Sequence, residues 1–240
     1  MQAAETLVTI ATYNERENLP QLVEAIFSAA PRVHILVIDD NSPDGTGLWC
    51  DEFAAQDGRL SCIHREKKLG LGTATLLALR TGIERGYRYV LNMDADFSHP
   101  PEKIPELIAV MDPPEGPPAD VAIGSRYVEG GAVEGWPRTR RWMSAAVNAY
   151  ARILLRLPVR DCSGAFRCYR ASILQRLDFA VIKSRGYAFQ EEILYRLRRA
   201  GAVFREVPIT FIDRRCGQSK INSREALEAL WIIARLGLLG

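Results

Sequence analysis

Short apolar runs of strand length alternate along the chain with stretches whose apolar residues recur every three or four positions. TLVTIATY (6–13), VHILVIDD (33–40), LSCIHRE (60–66), YRYVLNMDAD (87–96) and ADVAIGSRY (119–127) read as strands. Between the first two, NLPQLVEAIFSAA (18–30) puts Leu19, Leu22, Val23, Ile26 and Phe27 on one helical face. Helical patterns also run through 46–56, 71–86 and 101–111. This strand-helix alternation predicts an α/β fold: a Rossmann-like, mostly parallel sheet with helices on both faces. The second half is less regular. A proline-rich loop (112–120) leads to helical patterns at 141–157 and 185–201, the latter closed by Gly201. A strand-like stretch follows at 202–213, with Pro208 pointing to a sheet edge. A C-terminal helical extension covers 224–240. No repeat or linker divides the chain, so residues 1–240 are expected to form one domain.

Charge, cysteine content, the N-terminal start and the lengths of the apolar runs narrow the picture further. A net charge of +2 is too small for a nucleic-acid-coating protein but leaves room for a small anionic substrate. The five cysteines (Cys50, Cys62, Cys162, Cys168 and Cys216) are odd in number and show no CxxC spacing, which argues for reduced, cytosolic thiols. The start, MQAAETLVTI, does not read as a secretory leader. No run of about 18 uncharged apolar residues predicts a membrane-spanning helix.

In parallel sheets ligands gather at the C-terminal strand ends, so the polar residues there carry the candidate chemistry. Asp94 and Asp96 flank one alanine at the end of the fourth strand. If the strand continued through them, both carboxylates would face one side and repel. A divalent cation with oxygen ligands would offset that repulsion; a turn leading into the next helix is the alternative. Asp39 and Asp40 close the second strand ahead of the turn-forming Asn41-Ser42-Pro43-Asp44-Gly45, and Thr46 is placed to cap the helix that follows. REKKLGLG (65–72) sets three cations beside two glycines before a helix, which suits either a phosphate cradle or a solvated charge run. Arg126, Arg138, Arg140 and Arg141 follow the fifth strand, and Arg214, Arg215 and Lys220 follow the last. Acids able to hold a metal, followed by arginines able to fork onto phosphate, fit a nucleoside-diphosphate substrate.

ATYNERENL, VIDDNSPDGTG, MDADFSHPPEKIPEL, GSRYVEGG, DCSGAFRCYR, FQEEILYR and EVPITFIDRRCGQSK occur in that order. Together they resemble the soluble type of dolichyl-phosphate (polyprenyl-phosphate) mannosyltransferase, a family-2 glycosyltransferase with the GT-A fold, over residues 6 to 235. The resemblance implies GDP-mannose as donor and a polyprenyl phosphate lipid as acceptor. It implies an inverting reaction that gives a β-linked mannosyl phosphate. The neighbouring alternative is a family-2 transferase that uses a UDP-sugar, such as a polyprenyl-phosphate glucosyltransferase. By position, Tyr13, Glu15, Ile38 and Asp40 are implied to hold base and ribose. Asp94, Ala95 and Asp96 are implied to lie along the diphosphate, with Asp94 and Asp96 holding Mg2+ or Mn2+. Arg126, Arg214 and Lys220 are implied to meet donor phosphates, and Arg140 and Ser144 the acceptor phosphate. Asp96 and Arg126 are the catalytic candidates. The pattern departs from the family at Ala11, where proline is common, and at Ser98, where some members place a metal-binding glutamine.

An acceptor phosphate is anionic near pH 7, its second pKa being about 6, so no general base is assigned. His99 reads as a helix-start residue. Glu191 and Glu192 read either as positioning groups or as favourable first-turn acids. A lipid acceptor requires contact with a membrane. Two stretches are candidates for lying at its surface, 141–157 and 224–239, both apolar, the first also rich in arginine. Packing on the core, a membrane partner subunit or a homodimer are the alternative covers for the second. The implied location is cytoplasmic, peripheral on the cytoplasmic face of a membrane.

Overall fold

The computed structural model describes residues 4–184, 186, 188–213 and 223–239, with only the backbone of 223–228 and 239. Chain order is β1 (Thr6–Thr12), α1 (Leu19–Ala29), β2 (His34–Asp39), α2 (Thr46–Gln56), β3 (Leu60–His64), α3 (Leu71–Glu84) and β4 (Tyr89–Met93). A 3-10 turn at Pro101–Lys103 runs into α4 (Ile104–Ala109), followed by β5 (Val121–Ser125), β6 (Ala132–Glu134) and α5 (Arg138–Leu154). Then come β7 (Arg167–Arg170), α6 (Ala171–Leu174), α7 (Phe189–Arg199), β8 (Phe204–Pro208), β9 (Thr210–Ile212) and α8 (Ser223–Leu239).

The main sheet has the order β3-β2-β1-β4-β7-β5-β8, and β6 pairs with β9 in a separate ribbon. Pairings β1/β2, β1/β4, β2/β3 and β5/β8 are parallel, while β7 runs antiparallel to both β4 and β5. The mostly parallel sheet is therefore as expected, and Pro208 does lie on an edge strand, β8. Strand β7 is new. Its RCYR carries two arginines in four residues, which hid the strand pattern. Tyr169 and Cys168 fill the core, while Arg167 is buried on two backbone carbonyls, Gln190 O at 2.7 Å and Cys162 O at 2.6 Å.

The unbroken apolar runs of β1 and β2 follow from a sheet covered on both faces. Val8, Ile10, Ile35 and Val37 pack with Leu19, Leu22, Val23 and Ile26 of α1 and with Ile104 and Leu107 of α4. The alternate residues Leu7, Leu36 and Ile38 pack with Ala74 and Ala78 of α3. Helices α5, α6, α7 and α8 close over the β4–β7–β5 region, with Leu155, Ile173, Phe189, Ile193, Leu197 and Ile233 in that cluster. From β1 the chain winds to β2 and β3 on one side and returns to β4 on the other. The topological switch, where such sheets bind ligands, therefore lies between β1 and β4.

Candidate active site

The loops after β1, β2 and β4 converge at that switch. Asn14, Asn41 and Phe97 take left-handed backbone angles there (φ 62°, 59° and 61°). For phenylalanine this is a strained conformation, of the kind that clusters at functional sites. The β1 loop is stitched to the β2 loop. The amide of Asn14 donates to Ser42 Oγ (3.0 Å), that of Glu15 to Thr46 Oγ1 (3.1 Å) and that of Arg16 to Asp44 Oδ2 (3.0 Å). Thr46 is not the helix cap. It is the first helical residue, and its amide and hydroxyl donate to Asp44 Oδ1 at 3.0 and 2.6 Å. Asp44 thereby satisfies an orphan helix donor from two residues upstream.

The two acids that close β2 have different partners. Asp39 accepts from the hydroxyls of Thr12 (3.0 Å) and Ser42 (2.6 Å) and from the Ser42 amide (3.1 Å), so it builds the loop. Asp40 forms a buried ion pair with Arg65, whose other arm donates to Thr73 Oγ1 at 2.7 Å. This removes Arg65 from the phosphate-cradle reading of 65–72 and makes it the counter-charge that fixes Asp40. Lys68 of the same segment lies 4.4 Å over the Tyr13 ring. Ile38 is fully buried in the α3-side cluster, so its side chain serves the core.

Strand β4 ends at Met93, so Asp94-Ala95-Asp96 lies beyond it, and strand alternation does not place the two carboxylates. The loop itself does. The Asp94 amide donates to His99 Nδ1 (3.0 Å), and Asp96 Oδ1 accepts from the Ser98 amide (3.1 Å). Asp94 is partly exposed, Asp96 and Ala95 are buried. His99 does not start a helix. It stacks on Phe166 (ring centroids 5.2 Å apart), meets Phe211 edge-on, and burial pushes its pKa below the usual histidine range. With Nδ1 accepting, its proton is assigned to Nε2. It is thus a neutral strut for Asp94. Ser98 Oγ is buried and has no hydrogen-bond partner among the described residues.

Arg126 follows β5 and is almost fully buried. Asp161 grips it along one edge, Nε to Oδ2 and Nη2 to Oδ1, both at 2.7 Å. Burial pulls the two pKa values toward neutrality, but each partner overrides it. Asp161 stays below the usual carboxylate range and Arg126 above its ordinary value. Gly131 of GSRYVEGG packs so tightly here that a Cβ on it would stand 2.6 Å from Ser125 O. Trp136 and Phe211 form an aromatic wall beside this pair, with ring centroids 5.3 Å apart. Arg140 of α5 lies 4.0 Å over Trp136 and is paired with Asp213 at 3.2 Å. One turn further on, Ser144 Oγ meets the Tyr127 hydroxyl at 2.7 Å. The structure therefore brings Asp94, Asp96, Arg126, Arg140 and Ser144 to one end of the sheet, linked through His99, Phe211 and Trp136. Arg214 and Lys220 lie outside the described residues.

Sequence reading missed Asp161 and Ser163, which hold Arg126, and Asn148, which holds Ser163. The signal was within reach: DCSG puts an acid in a small-residue loop, and Asn148 lies four residues after Ser144, on the same helical face. FQEE separates into two roles. Glu192 accepts from Ser184 (amide 3.0 Å, hydroxyl 2.5 Å) and from Arg196 (2.6 Å), and these bonds hold it below the usual range. Glu191 is buried and its Oε2 has no partner among the described residues. Burial pushes it up to about 7.

Strand-end acids and a rigidly held arginine gathered beside a topological switch point fit a nucleotide-sugar transferase of the GT-A type. The family model for glycosyl transferase family 2 matches residues 7–178. The chain is 44% identical over 236 residues to the polyprenol monophosphomannose synthase of Mycolicibacterium smegmatis, covering 98% of this chain and 88% of that protein. It is 43% identical to the undecaprenyl-phosphate mannosyltransferase of Micrococcus luteus, covering 97% of this chain and 93% of that one. The fold matches Mycobacterium tuberculosis glucosyl-3-phosphoglycerate synthase, solved with Mn2+, UDP and glucosyl-3-phosphoglycerate. That match has a TM-score of 0.66 at 17% identity and covers 97% of this chain and 78% of the other. The chain belongs to glycosyl transferase family 2.

Proposed function

We propose that this enzyme transfers mannose from GDP-mannose to the phosphate of a polyprenyl lipid, with inversion, giving polyprenyl-phosphate β-mannose. One observation carries the reading: helix α5 has two chemically opposite faces at the mouth of the site. Arg140, Ser144 and Asn148 line the half-buried face, while Trp142, Met143 and Ile153 stand 77%, 67% and 69% exposed on the other. An isolated soluble domain rarely leaves so large an apolar set in water, whereas an enzyme drawing a lipid phosphate out of a bilayer needs that arrangement. Helix α8 extends the surface. Its Gly237 lies against α5, where a Cβ would stand 2.8 Å from Leu154 O. Ile233 packs inward while Trp231 and Leu238 stay exposed. No helix among the described residues is long and apolar enough to cross a membrane, so the contact is peripheral in this reading, on the cytoplasmic face. The two mannosyltransferase relatives support the sugar and the acceptor.

Asp94 and Asp96 offer hard carboxylate oxygens beside the orphaned Ser98 hydroxyl, a donor set suited to Mg2+ or Mn2+. Among the described residues no group of three His, Cys, Asp or Glu side chains could share a cation. Substrate oxygens would therefore complete the coordination. A cation there supplies charge compensation to the departing diphosphate. Arg126, held rigid by Asp161, presents a preorganised charge to the donor phosphates, and the resemblance adds Arg214 and Lys220. Tyr13, Glu15, Asp40 and the backbone at Ile38 and Ala95 hold the nucleotide. Arg140, lying over Trp136, and Ser144 receive the acceptor phosphate. Asp213 must yield Arg140, in whole or in part, as that phosphate arrives. His99, buried and neutral, keeps Asp94 in place. No group is needed to remove a proton from an acceptor that is already anionic.

The test is donor discrimination. GDP is expected to raise the melting temperature and to compete against transfer, with UDP much weaker. Equal or stronger protection by UDP would overturn the donor assignment and leave the fold and the acceptor reading standing.

A further inference from the structure

Ser163, in the loop before β7, has an unusual hydrogen-bond balance. Its Oγ accepts twice, from Arg126 Nη2 at 2.8 Å and from Asn148 Nδ2 at 3.0 Å. A serine hydroxyl has two lone pairs and one proton. With both lone pairs engaged, it can offer only the proton, and no described residue accepts it. The arrangement is built, not incidental. The Asn148 carboxamide is buried and fully employed. Its Nδ2 also donates to Ser144 O (2.8 Å), and its Oδ1 accepts from the amides of Cys162 (2.7 Å) and Ser163 (3.2 Å). Arg126 is equally constrained. Asp161 takes its Nε–Nη2 edge, and Nη1 has no hydrogen-bond acceptor among the described residues. Nη1 is joined to Nη2 through one carbon, so its free N–H groups and the Ser163 hydroxyl lie within the span of a single phosphate. Ser163 is also only half-buried.

We propose that Ser163 is a phosphate-binding residue, donating its hydroxyl proton to a substrate phosphoryl oxygen beside Arg126. Two such oxygens reach this place if the function proposed above holds: the donor's diphosphate on the Arg126 side and the acceptor's monophosphate on the Ser144 side. A hydrogen bond to a charged phosphate gives roughly a ten-fold effect in affinity. Asn148 is then a positioning residue. It orients Ser163 and ties the phosphate pocket to α5.

The test titrates GDP, and separately geranyl phosphate onto GDP-saturated protein, by calorimetry in the presence of Mn2+. Ser163→Ala is compared with Ser163→Thr, which keeps the hydroxyl. A roughly ten-fold weaker GDP affinity in the alanine variant, restored in the threonine variant, supports the site and assigns it to the donor. The same pattern with geranyl phosphate supports it and assigns it to the acceptor. Both affinities staying within two-fold of wild type would overturn the proposal, as would equal losses in the alanine and threonine variants. Should Ser163→Ala melt early, Ser163→Cys keeps the shape with a weak donor and must lose affinity in the same direction. These titrations read binding alone. If the wild type proves not to move mannose, the proposed function fails by a separate measurement, and GDP binding still decides Ser163.

Discussion

Glu191 offers a sharp test of how burial shapes this site. It opens α7 in a position where an ionised acid is ordinarily favoured by the helix N-terminus. Burial opposes this and dominates. The side chain is 3% exposed, Oε2 has no described partner, and the pKa rises from an ordinary 4.5 to about 7 despite nearby Arg167 and Arg126. That displacement corresponds to about 3 kcal/mol between the protonated and ionised forms in the fold. The sign follows from linkage. Below pH 4.5 the group is protonated in folded and unfolded chains alike and costs nothing. As pH rises, the unfolded chain releases its proton first, and stability falls until the folded group also ionises near 7. Glu191→Gln keeps the shape and removes the titration. Urea unfolding at pH 5, 6, 7 and 8 should show the variant gaining on wild type by about 3 kcal/mol across that window, with a plateau above it. Asp44, Asp57, Asp112, Asp161 and Glu192 are all held low and impose the opposite trend, but equally on both proteins. Parallel stability curves would refute the argument. They would mean that Glu191 has a partner or water contact that spares it the cost of burial.

Three further perturbations test separate parts of the account. Asp161→Asn leaves Arg126 as a buried cation without its counter-charge, so denaturant unfolding should show a loss of about 3 kcal/mol or more, with weaker GDP binding alongside. Gly131→Ala would press a methyl within 2.6 Å of Ser125 O and 2.8 Å of the Arg126 carbonyl carbon. The displaced arginine should lower kcat/KM by roughly a hundred-fold, and unchanged turnover would show that Arg126 tolerates movement. Replacing Trp142 and Trp231 together by alanine should weaken sedimentation with anionic vesicles by about ten-fold or more. Transfer to a short, water-soluble polyprenyl phosphate should survive, and undiminished vesicle binding would remove α5 and α8 from the membrane surface.

Much of the sheet was legible because a two-faced parallel sheet imposes continuous apolar runs, and β1, β2, β4 and β5 have them. Strand β7 was not legible. Its two arginines find partners outside the strand: Arg167 donates to the Gln190 and Cys162 carbonyls, with its Nε left without a partner among the described residues, and Arg170 to Asp112 and the Met111 and Ala119 carbonyls. No local pattern announces such partners. The strand-end acids could be found as candidates, since a sequence shows where polar residues interrupt a buried run. Their division of labour could not. Asp39 serves its own loop and Asp40 takes Arg65 only because β2 and the segment after β3 lie side by side. Nor could the strand period place Asp94 and Asp96, because the strand stops at Met93. DCSG marked an acid in a small-residue loop, but no local pattern tied it to Arg126: Asp161 is 35 residues away and Ser163 is 37.

The most direct measurement is transfer of radiolabelled mannose from GDP-mannose to a polyprenyl phosphate in detergent, with and without Mg2+ or Mn2+, with UDP-glucose and an Asp96→Ala variant alongside. The account predicts a lipid-linked mannose that requires the metal, disappears in the variant and does not form from UDP-glucose as a glucosyl counterpart. A lipid-linked glucose from UDP-glucose and none from GDP-mannose would contradict the donor assignment. Mannose transfer undiminished in Asp96→Ala would contradict the site.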